Sequence, residues 1–314
     1  MLALLPALGC KNRPQELLVL SAASLARVFG GLEEELEQSH PGLDVQLEVA
    51  GSQTAVRKVA ELGARVDVVA VADGRLIDEL LRPSHARFAV HFAANELVLA
   101  HLEHSRYTDE LTAQNWPEVL SRSDVRLGMV SPDLAPLGYR TLLLWQLAEL
   151  ELGRARTGPD LSARLRARCA PEHVAAHEAE LLKLLQARAI DYAFVYRSAA
   201  EEHNLKSVAL PGRYNLGVPE ESARYARVAA TLRGPKGTTV RLPGAPITYA
   251  VTIPLNAPHS ALGALFLREL LGPRGHKLLE RSGFRPLSPA RVRPADPLPE
   301  PLRGLVRADP SSAP

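Results

Sequence analysis

Residues 16–71 run strand, small polar turn, helix, strand, small polar turn, helix, strand. No other feature constrains the fold as much. Residues 16–20 (ELLVL) form a short apolar run between Pro14 and Ser21, as a buried strand does. Ser21-Ala22-Ala23-Ser24 then opens a helical pattern that runs to about Ser39. Residues 45–49 (VQLEV) alternate in the manner of a strand, Gly51-Ser52-Gln53-Thr54 leads into a helix through Leu62, and residues 66–71 (VDVVAV) read as a strand again. A helix between strands lets the chain return to the same edge, so the order predicts a parallel sheet of α/β class.

The rhythm returns further on. Residues 126–130 read as a strand, followed by Ser131-Pro132-Asp133-Leu134-Ala135-Pro136-Leu137-Gly138 and a long helix from Tyr139 to about Leu152. A helix over residues 178–187, a strand over 192–196 and a short strand over 208–210 follow. Two α/β units predict two lobes. Residues 96–100 (ELVLA) and 248–254 (TYAVTIP) are the expected crossing segments, the second leading into a helix over 260–271. The expected division is lobe 1 at residues 15–93 plus 256–290, lobe 2 with the crossing segments at 94–255, a leader at 1–14 and a proline-rich tail at 291–314. A double crossing of this kind makes a hinged cleft suited to capturing a ligand.

Composition narrows the partners. The 37 Lys and Arg nearly balance the 35 Asp and Glu, so no broad basic field exists for nucleic acid or an anionic membrane. With 46% hydrophobic residues the chain can build cores of its own. No run of 18 apolar residues is present to span a bilayer as a helix. Two cysteines make neither a disulfide framework nor a Cys-rich zinc site.

The start, MLALLPALGC, has small residues Ala7 and Gly9 before Cys10. It reads either as the end of a lipoprotein leader with Cys10 lipidated, or as an ordinary N-terminus. From Pro286 to Pro314, eight of 29 residues are proline, which predicts an extended tail poor in helix or sheet.

Three turns that each precede a helix are candidates for chemistry: residues 21–24, 51–52 and 136–138. Free amides at a helix start, backed by its dipole, attract anions, and serine hydroxyls add neutral donors. A single such Ser most often only caps its helix; three turns together favour an oxyanion site. Tyr196 ends a strand, where its phenol could donate to an anion, or pack as a partly buried aromatic. Arg213, on a turn in LPGRYNLG, could pair with an oxyanion or stand in solvent. His173 and His177, four apart, fit one face of a helix, but no third ligand accompanies them, and no metal or cofactor is expected. No GxSxG, HExxH, P-loop or dinucleotide fingerprint is found.

Seven segments carry a family resemblance: SAASLARVF (21–29), EVAGSQTAVRKVAELGARVDVVAVAD (48–73), FAANELVLAH (92–101), SPDLAPLGYR (131–140), IDYAFVYRSAAEEHNL (190–205), LPGRYNLG (210–217) and LLGPRGHKLLERSGFRPLSPA (270–290). In this order they resemble the periplasmic tungstate/molybdate-binding proteins of ABC transporters, of the type found in archaea and some bacteria. The resemblance implies a type II periplasmic-binding fold with the ligand closed between two lobes. It implies that Ser21 or Ser24, with Ala22 in the same turn, and Ser52 donate to the oxyanion. Amides of Leu137 and Gly138, a further amide near His177–Glu178 and the Tyr196 hydroxyl complete the expected set.

Two departures follow from the same comparison of motifs. The family's DP-x-GYR aspartate, a carboxylate ligand to the central atom of the anion, is here Ala135. A second carboxylate, assigned to an LP-x-E turn, is here Arg213. The expected site therefore holds a tetrahedral anion by hydrogen bonds alone, with Arg213 attracting it. Molybdate or tungstate comes first, and sulfate or phosphate are the alternatives. The expected protein is not an enzyme. It is a monomeric extracytoplasmic binding protein serving an ABC permease, held at the membrane only by a lipid on Cys10. A sensor or an enzyme on the same fold is the rival reading.

Overall fold

The computed structural model describes residues 14–233, 239–293 and 298–309. Cys10 and the rest of the leader that suggests a lipid anchor lie outside the described residues. The strands are β1 (Gln15–Ala22), β2 (Leu43–Ala50), β3 (Val68–Val71), β4 (Ala89–Asn95), β5 (Leu97–His101), β6 (Leu127–Val130), β7 (Val174–Ala175), β8 (Tyr192–Tyr196), β9 (Lys206–Val208), β10 (Ala229–Arg233), β11 (Thr239–Pro243), β12 (Ile247–Thr252), β13 (Arg285–Arg293) and β14 (Val306–Ala308). The helices are α1 (Ala26–Ser39), α2 (Ser52–Ala60), α3 (Trp116–Leu120), α4 (Pro136–Leu152), α5 (Arg154–Thr157), α6 (Leu161–Arg168), α7 (Glu178–Gln186), α8 (Arg197–Glu202), α9 (Ser222–Tyr225), α10 (Ser260–Leu271) and α11 (Pro273–Arg281).

The chain forms two compact units. Unit 1 takes Met1–Val90, Ala250–Leu278 and Arg291–Pro314; unit 2 takes His91–Tyr249 and Leu279–Ala290. Unit 1 is built on a sheet of order β14-β13-β4-β12-β3-β1-β2. Within it β1 runs parallel to both β2 and β3, with Ser21 opposite Val49 and Ala70, so all three strands end at one edge. The apolar side chains of α1 fall on one stripe: Val28, Phe29, Leu32 and Leu36 are buried. Phe29 meets Phe266 of α10 edge to face, ring centroids 5.1 Å apart. On α2, Ala55, Val56 and Val59 pack with Leu20, Val69 and Val71 of the sheet.

Unit 2 holds a sheet of order β7-β6-β8-β5-β9 and a β10-β11 ribbon. Here β6 is parallel to β7 and β8, with Val130 opposite Ala175 and Gly128 opposite Ala193, so these strands also end at one edge. The core gathers around Phe194 of β8, which meets Trp116 and Trp145 edge to face.

Several boundaries differ from the sequence reading. The expected crossing segment at residues 96–100 does not cross between units: it falls on β5, which sits inside unit 2, paired with β8 and β9. The chain passes from unit 1 to unit 2 within β4 instead, whose AVHFAAN is buried at every position and so lacks the alternation that flags a strand. The return at Tyr249–Ala250 lies in β12, within the expected segment. Helix α4 begins at Pro136, three residues early, because a proline at the first helical position sacrifices no hydrogen bond. The short strand near 208 is β9, ending where 208–210 was expected to begin. The proline-rich tail contains real sheet: β13 runs through Pro286 and Pro289, and β14 follows a 3-10 turn at Glu300–Leu302 whose Leu302 is fully buried.

Candidate functional site

In each unit, the carboxyl ends of parallel strands run into helix starts, which is where open α/β sheets bind ligands. At this edge of unit 1, β1 ends in Ser21 and Ala22, and a 3-10 turn over Ala23–Leu25 leads into α1. Ser21 is fully buried and its hydroxyl has no hydrogen-bond partner among the described residues. Such an orphan is costly unless a ligand completes it. Ala22 is buried beside it, while Ser24 is exposed in the turn. Ser52 is the first residue of α2, after Gly51. It does not cap that helix; its Oγ accepts the Ala72 N–H at 3.0 Å. The hydroxyl proton of Ser52 is thus left for another acceptor.

At the corresponding edge of unit 2, α4, α7 and α8 begin after β6, β7 and β8. Gly138 allows the first turn of α4 to close on β6: a Cβ there would lie 2.5 Å from the carbonyl oxygens of Val130 and Ser131. The Gly138 N–H is turned to Ala135 O at 3.0 Å, so of the two expected amides Leu137 is the better placed to serve a ligand. Ala135 is the N-cap and offers no side-chain bond.

Phe194 and Tyr196 share one face of β8, and both reach α4: Phe194 meets Trp145, and Tyr196 meets Arg140. Arg140 is 9% exposed and donates from Nη1 to the Tyr196 phenol at 2.6 Å. A guanidinium cannot accept, so the phenol uses a lone pair here and keeps its proton for an acceptor. Burial pushes the Tyr196 phenol far above its ordinary range, so it remains a donor at neutral pH.

The sequence reading missed two groups. Arg140 carried a signal: it lies one turn from Leu137 and Leu144, on the buried apolar stretch of α4. Glu178, the first residue of α7, carried none, because an acid in a first turn looks like an ordinary complement to the helix dipole. Its Oε1 accepts the Tyr196 N–H at 3.3 Å. Burial, aided by Glu202 and opposed by that N–H and Arg140, pushes its carboxyl up to about 7. The site edge of unit 2 is therefore not free of carboxyl groups, as the motifs had suggested.

Two expected groups lie elsewhere. Arg213 stands 3.6 Å from Glu151, its side chain 66% exposed. Glu151 is one residue from the end of α4, about 20 Å from Gly138 along the helix at a rise of about 1.5 Å per residue. Arg213 thus belongs to the opposite end of α4 from its first turn. His173 and His177 do not share a helix: β7 separates them, and His177 is the N-cap of α7.

Comparison with known proteins agrees with this architecture. The family model described as bacterial extracellular solute-binding protein matches residues 17–285. An uncharacterized solute-binding protein of Petrotoga mobilis is 35% identical over 293 residues, covering 93% of this chain and 90% of that protein. A molybdate/tungstate-binding protein, WtpA, of Thermococcus kodakarensis is 35% identical over 312 residues, covering 92% and 87%. Among solved structures, the substrate binding domain of a putative molybdenum ABC transporter from Clostridium difficile superposes with a TM-score of 0.62 at 19% identity, covering 87% of this chain and 99% of that one.

Proposed function

The chain belongs to the bacterial extracellular solute-binding protein family, with the type II binding-protein fold, and from that premise we propose that it captures a tetrahedral oxyanion for an ABC permease. Molybdate and tungstate are the first candidates, after the relative that bears their names. The observation that carries the reading is the fully buried hydroxyl of Ser21 at the carboxyl end of β1, which has no hydrogen-bond partner among the described residues. Ser52 and Tyr196 add two hydroxyls that accept a protein hydrogen bond and keep their own protons. A fully ionised oxyanion only accepts, so a set of uncommitted donors matches it.

In this reading Ser21, Ser52, the Leu137 amide and Tyr196 donate to the anion. Arg140, rather than Arg213, supplies the positive charge. Ala135 offers no carboxylate to the central atom, so the anion stays tetrahedral. Serving a permease requires only binding and release, and no catalytic role is assigned. We further propose that the protein acts as a monomer outside the cytoplasmic membrane, tethered by a lipid on Cys10. Among the described residues no helix is long and apolar enough to cross a membrane.

Calorimetric titration with molybdate, tungstate, sulfate and phosphate tests the reading. Tight binding of at least one is expected. No heat and no thermal shift with any of the four would overturn it. A preference for sulfate or phosphate would keep the class and change the cargo.

A further inference from the structure

The oxyanion reading leaves the Glu178 carboxyl without a role. It heads α7, beside the end of β8, and its Oε1 takes the backbone N–H of Tyr196, the residue whose phenol faces Arg140. The ionisable groups near it are Arg140 on α4, Tyr196 on β8, Glu202 and Arg197 on α8, and His177 and Glu180 at the start of α7 itself. Strands β6 and β7, which also pack on α7, carry none. Two of these groups are engaged elsewhere: Glu180 accepts the Ala176 N–H, and Arg197 pairs with Glu96. Arg140 gives Nη1 to Tyr196. An ionised Glu178 beside a bound dianion would thus be two acceptors facing each other, with a further carboxylate, Glu202, behind.

Resting on the reading above, we infer that oxyanion capture is proton-linked: the site takes a fully ionised dianion together with one proton, held on the Glu178 carboxyl and shared with an anion oxygen. A protonated carboxyl donates where an ionised one only accepts. In the free protein burial already pushes this carboxyl up to about 7, and a dianion beside it raises it further. Below that value the proton is in place and affinity is at its full level. Above it, each binding event draws one proton from solvent. Affinity then falls by up to about tenfold per pH unit, until the pH passes the value of the bound state.

The test is calorimetric titration of the whole chain with molybdate, tungstate and sulfate from about pH 6 to about pH 8.5, in buffers of different ionisation enthalpy. Proton uptake should rise from near zero towards one across this range, with affinity falling in step. Glu178→Gln, whose amide still donates, should bind with flat pH dependence and no uptake. Binding by the unaltered protein that ignores both pH and buffer overturns the inference and spares the oxyanion reading. So does a folded Glu178→Gln variant that has lost all binding, or one that keeps the original pH dependence. Absence of binding by the unaltered protein overturns both.

Discussion

The Arg140 guanidinium donates to the phenolic oxygen of Tyr196 at 2.6 Å, across the packing of α4 on β8. The contact fixes the ring oxygen of Tyr196 and sets the direction of its hydrogen bonds. It also places a cation that is 9% exposed at the end of β8, where the sequence reading had put the positive charge on Arg213 instead.

Tyr196→Phe should lower oxyanion affinity about ten- to hundredfold, since a hydrogen bond to a charged group contributes about 1.5–3 kcal/mol. Titration calorimetry reads the loss. The fold should remain, with ordinary far-UV circular dichroism. An unchanged affinity would remove Tyr196 from the site.

Ser21→Ala should separate stability from function. The free protein should be as stable as before or more so, by up to about 1 kcal/mol, because a buried hydroxyl without a partner is removed. Affinity should fall at the same time. Denaturant unfolding with and without anion measures both. A marked loss of stability in the free protein would mean that the Ser21 hydroxyl has a protein partner.

Arg213→Glu should leave anion affinity and preference unaltered. Its pairing with Glu151 is exposed, and such pairs contribute at most about 1 kcal/mol. A change of preference between molybdate and sulfate in competition titrations would return Arg213 to the site.

Gly138→Ala should cost about 2–4 kcal/mol, because its Cβ would press on two backbone carbonyl oxygens that cannot move aside cheaply. The thermal midpoint should drop, and binding should weaken with it as the first turn of α4 is displaced from β6. A variant with an unchanged midpoint would show that this turn has room to spare.

The apolar run of β1, the alternation of β2 and the serine turns after them made the first βαβ unit legible, and Tyr196 was singled out because it ends a strand. The rest was hidden for physical reasons. AVHFAAN of β4 is buried on both faces and has no period to read. Arg213 looked like a site residue because a turn after a strand often carries function, yet only the fold shows which end of α4 that turn meets. Glu178 is indistinguishable in sequence from a solvated first-turn acid; burial by β8 and its neighbours makes it unusual, and that is a tertiary property. The tail misled because proline argues against sheet, yet β13, which lies between β4 and the edge strand β14, takes Pro286 and Pro289 in its first half.

The seam between early and late parts of the chain bears on biosynthesis. In unit 1, β3 pairs on one side with β1, made early, and on the other with β12, made from residue 247 onward. Arg293 ion-pairs with Asp309, and the buried Leu302 belongs to a turn that packs on α10, so the last residues also close onto unit 1. A growing chain therefore carries the open flank of β3 through most of its synthesis, with nothing of its own to cover it. An unpaired apolar strand edge of this kind is a template for aggregation. The first-made segment consequently depends on being kept unfolded or shielded until the last segment arrives, a requirement that suits a chain passed across a membrane before it folds.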